Sequence, residues 1–191
     1  LDGGVILQSP QPQQKEPVEI KLLLVDLDQT VRRKKSSPNG FINEPLDQEI
    51  IPAAAEALER WKGCTIIACS NQAGVAAGYM TLGQCIDAMV YTMELAPQIK
   101  SVFFSPDSDG KRCFCVRPDG SIQTVFCETF KDLSIRTFRK PGCGMLKLAM
   151  FRYGASNLET GMIGDRDEDR LAAISAGVNF MPETRWYESG P

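Results

Sequence analysis

The feature that most constrains this chain is a repeated alternation. Short apolar runs recur at residues 21–26 (KLLLVD), 64–69 (CTIIAC), 101–104 (SVFF), 160–164 (TGMIG) and 178–181 (VNFM). Each reads as a strand, the first two as strands buried on both faces. Helix signals lie between them. Pro52 opens AAAEALERWK, which Gly63 closes, and Thr81 stands as an N-cap before LGQCIDAMVYTMEL. Pro141 opens GCGMLKLAMFRYG, and Gly177 closes DEDRLAAISAG. Such alternation predicts an α/β fold with three layers, a parallel sheet with helices on both faces. In these sheets a ligand sits beyond the carboxyl ends of the strands. The residues that follow each run are therefore where chemistry is to be sought.

The length of 191 residues suits one domain. Residues 1–17, ending in the Pro- and Gln-rich QSPQPQQKEP, read as a flexible arm, and 18–191 as a single folded unit. No run approaches the roughly 18–20 apolar residues of a membrane span. The net charge of −3 argues against a wholly basic nucleic-acid binder and leaves room for a local basic patch. Histidine is absent, which excludes Ser–His catalysis, phosphohistidine chemistry and His-ligated zinc. Acid–base work falls to carboxylates, Lys, Tyr or Cys. The cysteines number seven, an odd count, and several lie inside apolar runs. The opening LDGGVILQSP lacks the basic start of a signal peptide. Reduced thiols in a cytoplasmic protein are the expectation.

The strand ends are rich in chemistry. The first is followed by Asp26-Leu27-Asp28-Gln29-Thr30. Two carboxylates just past a buried strand need a cation or hydrogen bonds. Asp26 could attack phosphorus, Asp28 could pass a proton to a leaving oxygen, and Thr30 could orient the loop; an Asp-rich turn is the plainer alternative. The second run ends in Ser70-Asn71-Gln72, whose donors could hold phosphate oxygens. Arg139-Lys140 precedes a helix start, where a cation and N–H groups can bind an anion. The fourth run ends in Gly164-Asp165-Arg166-Asp167-Glu168-Asp169. Asp165 suits Mg²⁺, a hard ion that takes carboxylate oxygens. Asp169 lies one helical turn further on, while Asp167 and Glu168 read as first-turn acids.

Taken together, DLDQT, SNQ, Lys140 within RKPG, and GDRDED resemble the four motifs of the haloacid dehalogenase (HAD) superfamily of phosphohydrolases. The resemblance spans residues 26–169 and implies a Rossmann-like phosphatase fold. It implies Asp26 as the nucleophile that forms an aspartyl-phosphate. Asp28 is then the general acid/base and lends its backbone carbonyl to Mg²⁺. Ser70, with Asn71 and Arg139 beside it, and Lys140 hold the substrate phosphate. Asp26, Asp28 and Asp165 are the implied Mg²⁺ set, with Thr30 and Asp169 in support. Superfamily ATPases carry Thr at the position of Asp28, so the acid here favours a phosphatase. Position 29 departs from the pattern, with Gln where Gly is usual.

The stretch SNQAGVAAGYMT resembles the small-cap branch (subfamily IIIA) of histidinol and heptose-bisphosphate phosphatases and, more loosely, the phosphatase domain of polynucleotide kinase-phosphatases. No segment is long enough for a large cap domain. The zinc loop of the first two relatives is lost at Ser105 and Asp107; Cys113, Cys115 and Cys127 could form a displaced zinc site, or stand as plain thiols. The basic run Arg32–Lys35 falls where a flap covers the site and could gather a polyanion, with Phe41 the best stacking candidate for a nucleic-acid end. The leading expectation is Mg²⁺-dependent hydrolysis of a small phosphorylated metabolite, a sugar or amino-alcohol phosphate. A polynucleotide 3′-phosphatase and a catalytically silent binding protein are the alternatives.

Overall fold

A computed structural model describes residues 18–130 and 135–191. The arm expected over 1–17 lies outside them. Strand β1 (Leu22–Val25) leads into a small antiparallel pair, β2 (Arg32–Lys34) and β3 (Gln48–Ile50). Helix α1 (Pro52–Arg60), β4 (Thr65–Asn71), α2 (Leu82–Leu95) and β5 (Ile99–Ser105) follow. Then come β6 (Arg112–Val116), β7 (Ile122–Phe126) and α3 (Gly144–Tyr153). The chain closes with β8 (Thr160–Gly164), α4 (Asp167–Ala176), β9 (Asn179–Pro182) and α5 (Glu183–Glu188).

The main sheet runs β7-β6-β5-β4-β1-β8-β9. Its last five strands in that order are parallel, which puts their carboxyl ends on one edge. The expected parallel sheet with helices on both faces is observed, extended at the other end by two antiparallel pairings, β5 with β6 and β6 with β7. The turn at 117–120 explains the second. Gly120 takes a φ of +77° and donates to the Arg117 carbonyl. A connection that tight reverses the chain, whereas a parallel neighbour needs a crossover of a dozen residues or more. Residues 31–48, which show no strand pattern in sequence, carry β2 and reach β3. Both strands are three residues long and mostly polar, too short to show an alternation.

β1 shows how the layers form. Leu23 and Val25 enter the core beneath α1, α2 and α5, with Ala57, Leu58, Met89 and Trp186. Leu22 and Leu24 enter the core beneath α3 and α4, with Leu146, Ala149, Ala172 and Ala173. Side chains of a strand alternate between faces, so an unbroken apolar run is what a middle strand needs. Burying each such side chain contributes about 1.5–3 kcal/mol. Thr81 caps α2 in a reciprocal box with Gln84. Pro141 does not open α3, which starts at Gly144. A Cβ there would lie 2.4 Å from the Thr137 carbonyl oxygen, so residues 137–144 pack backbone against backbone first. Among the described residues no helix is long and apolar enough to cross a membrane.

The turn after β1 accounts for the unusual Gln29. Its φ is +71°, in the left-handed region where glycine is at ease. Its side chain donates to the Pro38 carbonyl at 2.8 Å and ties this turn to the β2–β3 loop. A side chain held at positive φ costs about 1–2 kcal/mol. In urea unfolding, Gln29→Gly is expected to be more stable than Gln29→Ala by about 1 kcal/mol, because both lose the tie and only alanine keeps the strain. The reverse order would mean that the turn does not hold this conformation.

Candidate active site

The carboxyl edge of the sheet gathers residues from three strand ends and the 139–140 segment. Asp26 continues β1 by one residue, its N–H donating to the Ile163 carbonyl at 2.9 Å. Its Oδ1 accepts from Lys140 Nζ at 2.6 Å. The same ammonium lies 2.5 Å from Asp169 Oδ1 and donates to the Cys69 carbonyl at 2.7 Å. Lys140 is 2% exposed, so all three of its donors are met by protein acceptors. Burial works against its charge, but the carboxylates of Asp26 and Asp169 outweigh that and hold its pKa above the usual lysine value. Burial pushes Asp26 up to about 7; Lys140 opposes the shift, and Asp169 and Asp28 add to it.

Asp165 and Asp169 flank the start of α4. Asp169 accepts from the Arg166 N–H at 3.1 Å, which closes the helix end. A Cβ on Gly164 would lie 2.4 Å from the Asp169 carboxyl carbon, so only glycine at the end of β8 lets that side chain fold back over the strand. Asp165 accepts from Thr30 Oγ1 at 3.2 Å. Its pKa is raised by burial, with Arg166 opposing. Ligand atoms of Asp26, Asp165 and Asp169 lie within 4.8 Å of one another, the only such group among the described residues. An oxygen-only set of three carboxylates beside a single ammonium fits a hard divalent cation. Asp169, read from the sequence as a supporting residue, lies with Asp26 and Asp165 in this group, while the Asp28 carboxylate lies outside it.

Asp28 has other partners. Arg32 Nε donates to its Oδ1 at 2.8 Å and Gln72 Nε2 to its Oδ2 at 2.8 Å. Arg32 is 1% exposed and also donates to Gln48, Thr92 and the Ala88 carbonyl. This takes Arg32 out of the cationic run Arg32–Lys35. Its first member is buried, Arg33 pairs with Glu49 at 2.8 Å, and Lys34 lies 3.8 Å from Asp47. A run of charges in sequence gives no sign of which member the fold turns inward. Sequence reasoning missed Gln48 and Thr92, and named Arg32 and Gln72 without their partner Asp28. The one available signal of this network was Gln72, inside SNQ.

Ser70 is buried, its Oγ accepting from Gln72 at 2.9 Å. Asn71 spends its amide on the Lys140 backbone, donating to the carbonyl at 2.8 Å and accepting the N–H at 2.9 Å. It thus fixes the lysine segment to β4, with its oxygen and one N–H engaged. Arg139 lines the cavity, and its Nη1 is buried with no hydrogen-bond partner among the described residues. These groups surround a cavity of about 280 Å³ that also reaches Phe41, Tyr79 and Arg166. Cys113 and Cys115 are buried in β6, Cys127 donates to the Gly110 carbonyl, and the three do not converge as a metal-binding group.

A family model described as HAD-hydrolase-like matches residues 137–181. The D-glycero-D-manno-heptose-1,7-bisphosphate 7-phosphatase of Thermosynechococcus vestitus is 27% identical over 146 residues, covering 72% of this chain and 67% of its own. The D-glycero-beta-D-manno-heptose-1,7-bisphosphate 7-phosphatase of Escherichia coli K12 is 27% identical over 161 residues, 83% of this chain and 76% of its own. In structure, the D,D-heptose 1,7-bisphosphate phosphatase of B. bronchiseptica, complexed with magnesium and phosphate, superposes with a TM-score of 0.60. That match is 20% identical and covers 84% of this chain and 79% of the other, which shows the fold.

Two outcomes follow from the geometry. Arg32→Met is expected to cost about 2–4 kcal/mol in urea unfolding, because it strips a buried cation from its partners. A loss below about 0.5 kcal/mol, the level of a surface change, would place Arg32 outside the buried network. The second concerns pH. The folded pKa of Asp26, about 7, lies above its ordinary 3.8, so between the two the folded chain holds the proton more tightly. The contribution to stability is full below the lower value and is lost as pH rises to the upper one. In metal-free buffer, the Tm of Asp26→Asn is expected to gain on the wild type from about pH 4 to pH 7 and then level off. A constant gap would contradict the shift.

Proposed function

We propose that this chain, similar as it is to phosphatases of the haloacid dehalogenase superfamily, hydrolyses a small phosphomonoester through Asp26 with the help of Mg²⁺. The observation that carries the proposal is the buried Asp26–Lys140–Asp169 cluster at the floor of a cavity also lined by Asp28 and Ser70. Residues 18–191 act in this reading as one catalytic domain.

The Ser70 hydroxyl donates to a phosphoryl oxygen, and the Lys140 ammonium, held among Asp26, Asp169 and the Cys69 carbonyl, acts through its charge and keeps the Asp26 carboxylate from repelling the incoming anion. Asp26 attacks phosphorus, a bond forms to its carboxylate oxygen, and the bond to the leaving oxygen breaks. Asp28 gives that oxygen its proton. A water then attacks the aspartyl-phosphate, its proton passes to Asp28, and inorganic phosphate leaves with Asp26 restored. Arg32 and Gln72 hold the Asp28 carboxylate in place. Asp26 and Asp165, with the Asp28 backbone carbonyl and Asp169 in support, would hold Mg²⁺, which supplies charge stabilisation to the phosphoryl oxygens.

The names of the relatives support a sugar phosphate as substrate. A nucleic-acid end draws less support, because Arg32 is buried and Arg33 and Lys34 already pair with acids. The test is phosphate release from sugar phosphates and from a 3′-phosphorylated oligonucleotide, with Mg²⁺ or with a chelator. Release should require Mg²⁺ and favour the sugar phosphates. Asp26→Asn should lower it by on the order of a thousandfold or more while the protein stays folded. Asp165→Ala should raise the Mg²⁺ concentration needed. Turnover by Asp26→Asn at the wild-type rate would remove the nucleophile from the proposal.

A further inference from the structure

The cavity above Asp26 is not polar throughout. Phe41, from the β2–β3 loop, and Tyr79, from the segment between β4 and α2, both line it. They are 77% and 70% exposed. A single exposed aromatic side chain needs no explanation, but two that converge on one cavity from separate segments do. Ile42, Ala77 and Met80 belong to the same lining. Among the described residues neither ring stacks on another aromatic ring, so their faces are not spent on each other.

Both are presented by hydrogen-bonded loops. The Phe41 loop is tied at its base by Ser36 to Asp47 and further along by Gln29 to the Pro38 carbonyl. Its tip is turned by the Gly40 N–H donating to the Ser37 carbonyl at 2.7 Å. On the Tyr79 side, the N–H groups of Ala77, Gly78 and Tyr79 donate to the carbonyls of Ala73, Val75 and Gly74. Loops tied in this way lose little backbone freedom when their rings grip a ligand.

A phosphoryl group seated at Asp26, Lys140 and Ser70 leaves the rest of the substrate in this part of the cavity. We infer that Phe41 and Tyr79 form a ring-binding subsite for the leaving group. The leaving group is cyclic and offers a flat face, either a heteroaromatic base or the C–H face of a sugar ring, and is not an open-chain alcohol. Aromatic side chains stack on such faces, whereas a flexible chain offers none and must also be ordered. The inference rests on the phosphatase reading above and narrows its substrate class.

The test compares kcat/KM for a nucleoside monophosphate, a hexose phosphate and glycerol phosphate in the wild type, Phe41→Ala, Phe41→Leu and Tyr79→Ala. The wild type should prefer at least one ring substrate. Each alanine variant should lower the ratio of ring to open-chain kcat/KM by roughly 5- to 100-fold, chiefly through KM. Phe41→Leu keeps apolar bulk without a ring and should also lose the preference. A loss confined to the nucleotide assigns a base to the subsite, and one confined to the hexose assigns a sugar. Equal losses on glycerol phosphate, or no loss on the ring substrates, would overturn the subsite. A folded wild type that releases phosphate from none of the three would overturn the phosphatase reading, and the subsite with it.

Discussion

A buried ammonium is the constraint on which the rest of this structure depends. Lys140 has left water almost completely, and a lone charge there would be untenable. Asp26, Asp169 and the Cys69 carbonyl take its three donors, one from each of three parts of the chain. The pairing is mutual, because the two carboxylates are buried as well. The end of β1, the end of β4 and the first turn of α4 are thereby held at one point. The same point faces the cavity, so the device that joins the strand ends also sets the field a bound anion meets.

Around this centre the structure places neutral and charged props that touch the reacting groups from behind. Gly164 makes room for Asp169, Asn71 grips the backbone of Lys140, and Gln72 bridges Ser70 to Asp28. Arg32 reaches from β2 to Asp28 and is anchored by Gln48 and by Thr92 of α2. The small β2–β3 unit thus connects the catalytic turn to a helix on one face of the sheet. It also carries Phe41 to the cavity mouth. One short insertion therefore serves both the orientation of Asp28 and the surface a leaving group meets.

Much of the fold was legible because burial on both faces of a strand leaves an apolar run, and β1, β4, β5 and β8 each carry one, whereas β9 lies at the sheet edge. Thr81 and Gly177 mark helix ends by local chemistry that a neighbour does not alter. The antiparallel pair β6 and β7 was less legible, since the exposed β7 alternates weakly and β6 looks like any apolar run. Pro141 misled for a related reason: the glycines at 142 and 144 serve close packing against Thr137 before the helix starts.

What the sequence determined by itself was the order of strands and helices and the identity of the groups at strand ends, because both follow from periodicity and local position. What only the tertiary structure decided was partnership. Asp169 joins Asp26 and Asp165 in one carboxylate group, Arg32 turns inward to Asp28, and among the described residues Cys113, Cys115 and Cys127 are not gathered into a metal-binding group. These outcomes depend on which distant segments the sheet order brings together. They depend also on which charges find a partner when water is excluded, and spacing along the chain does not encode that.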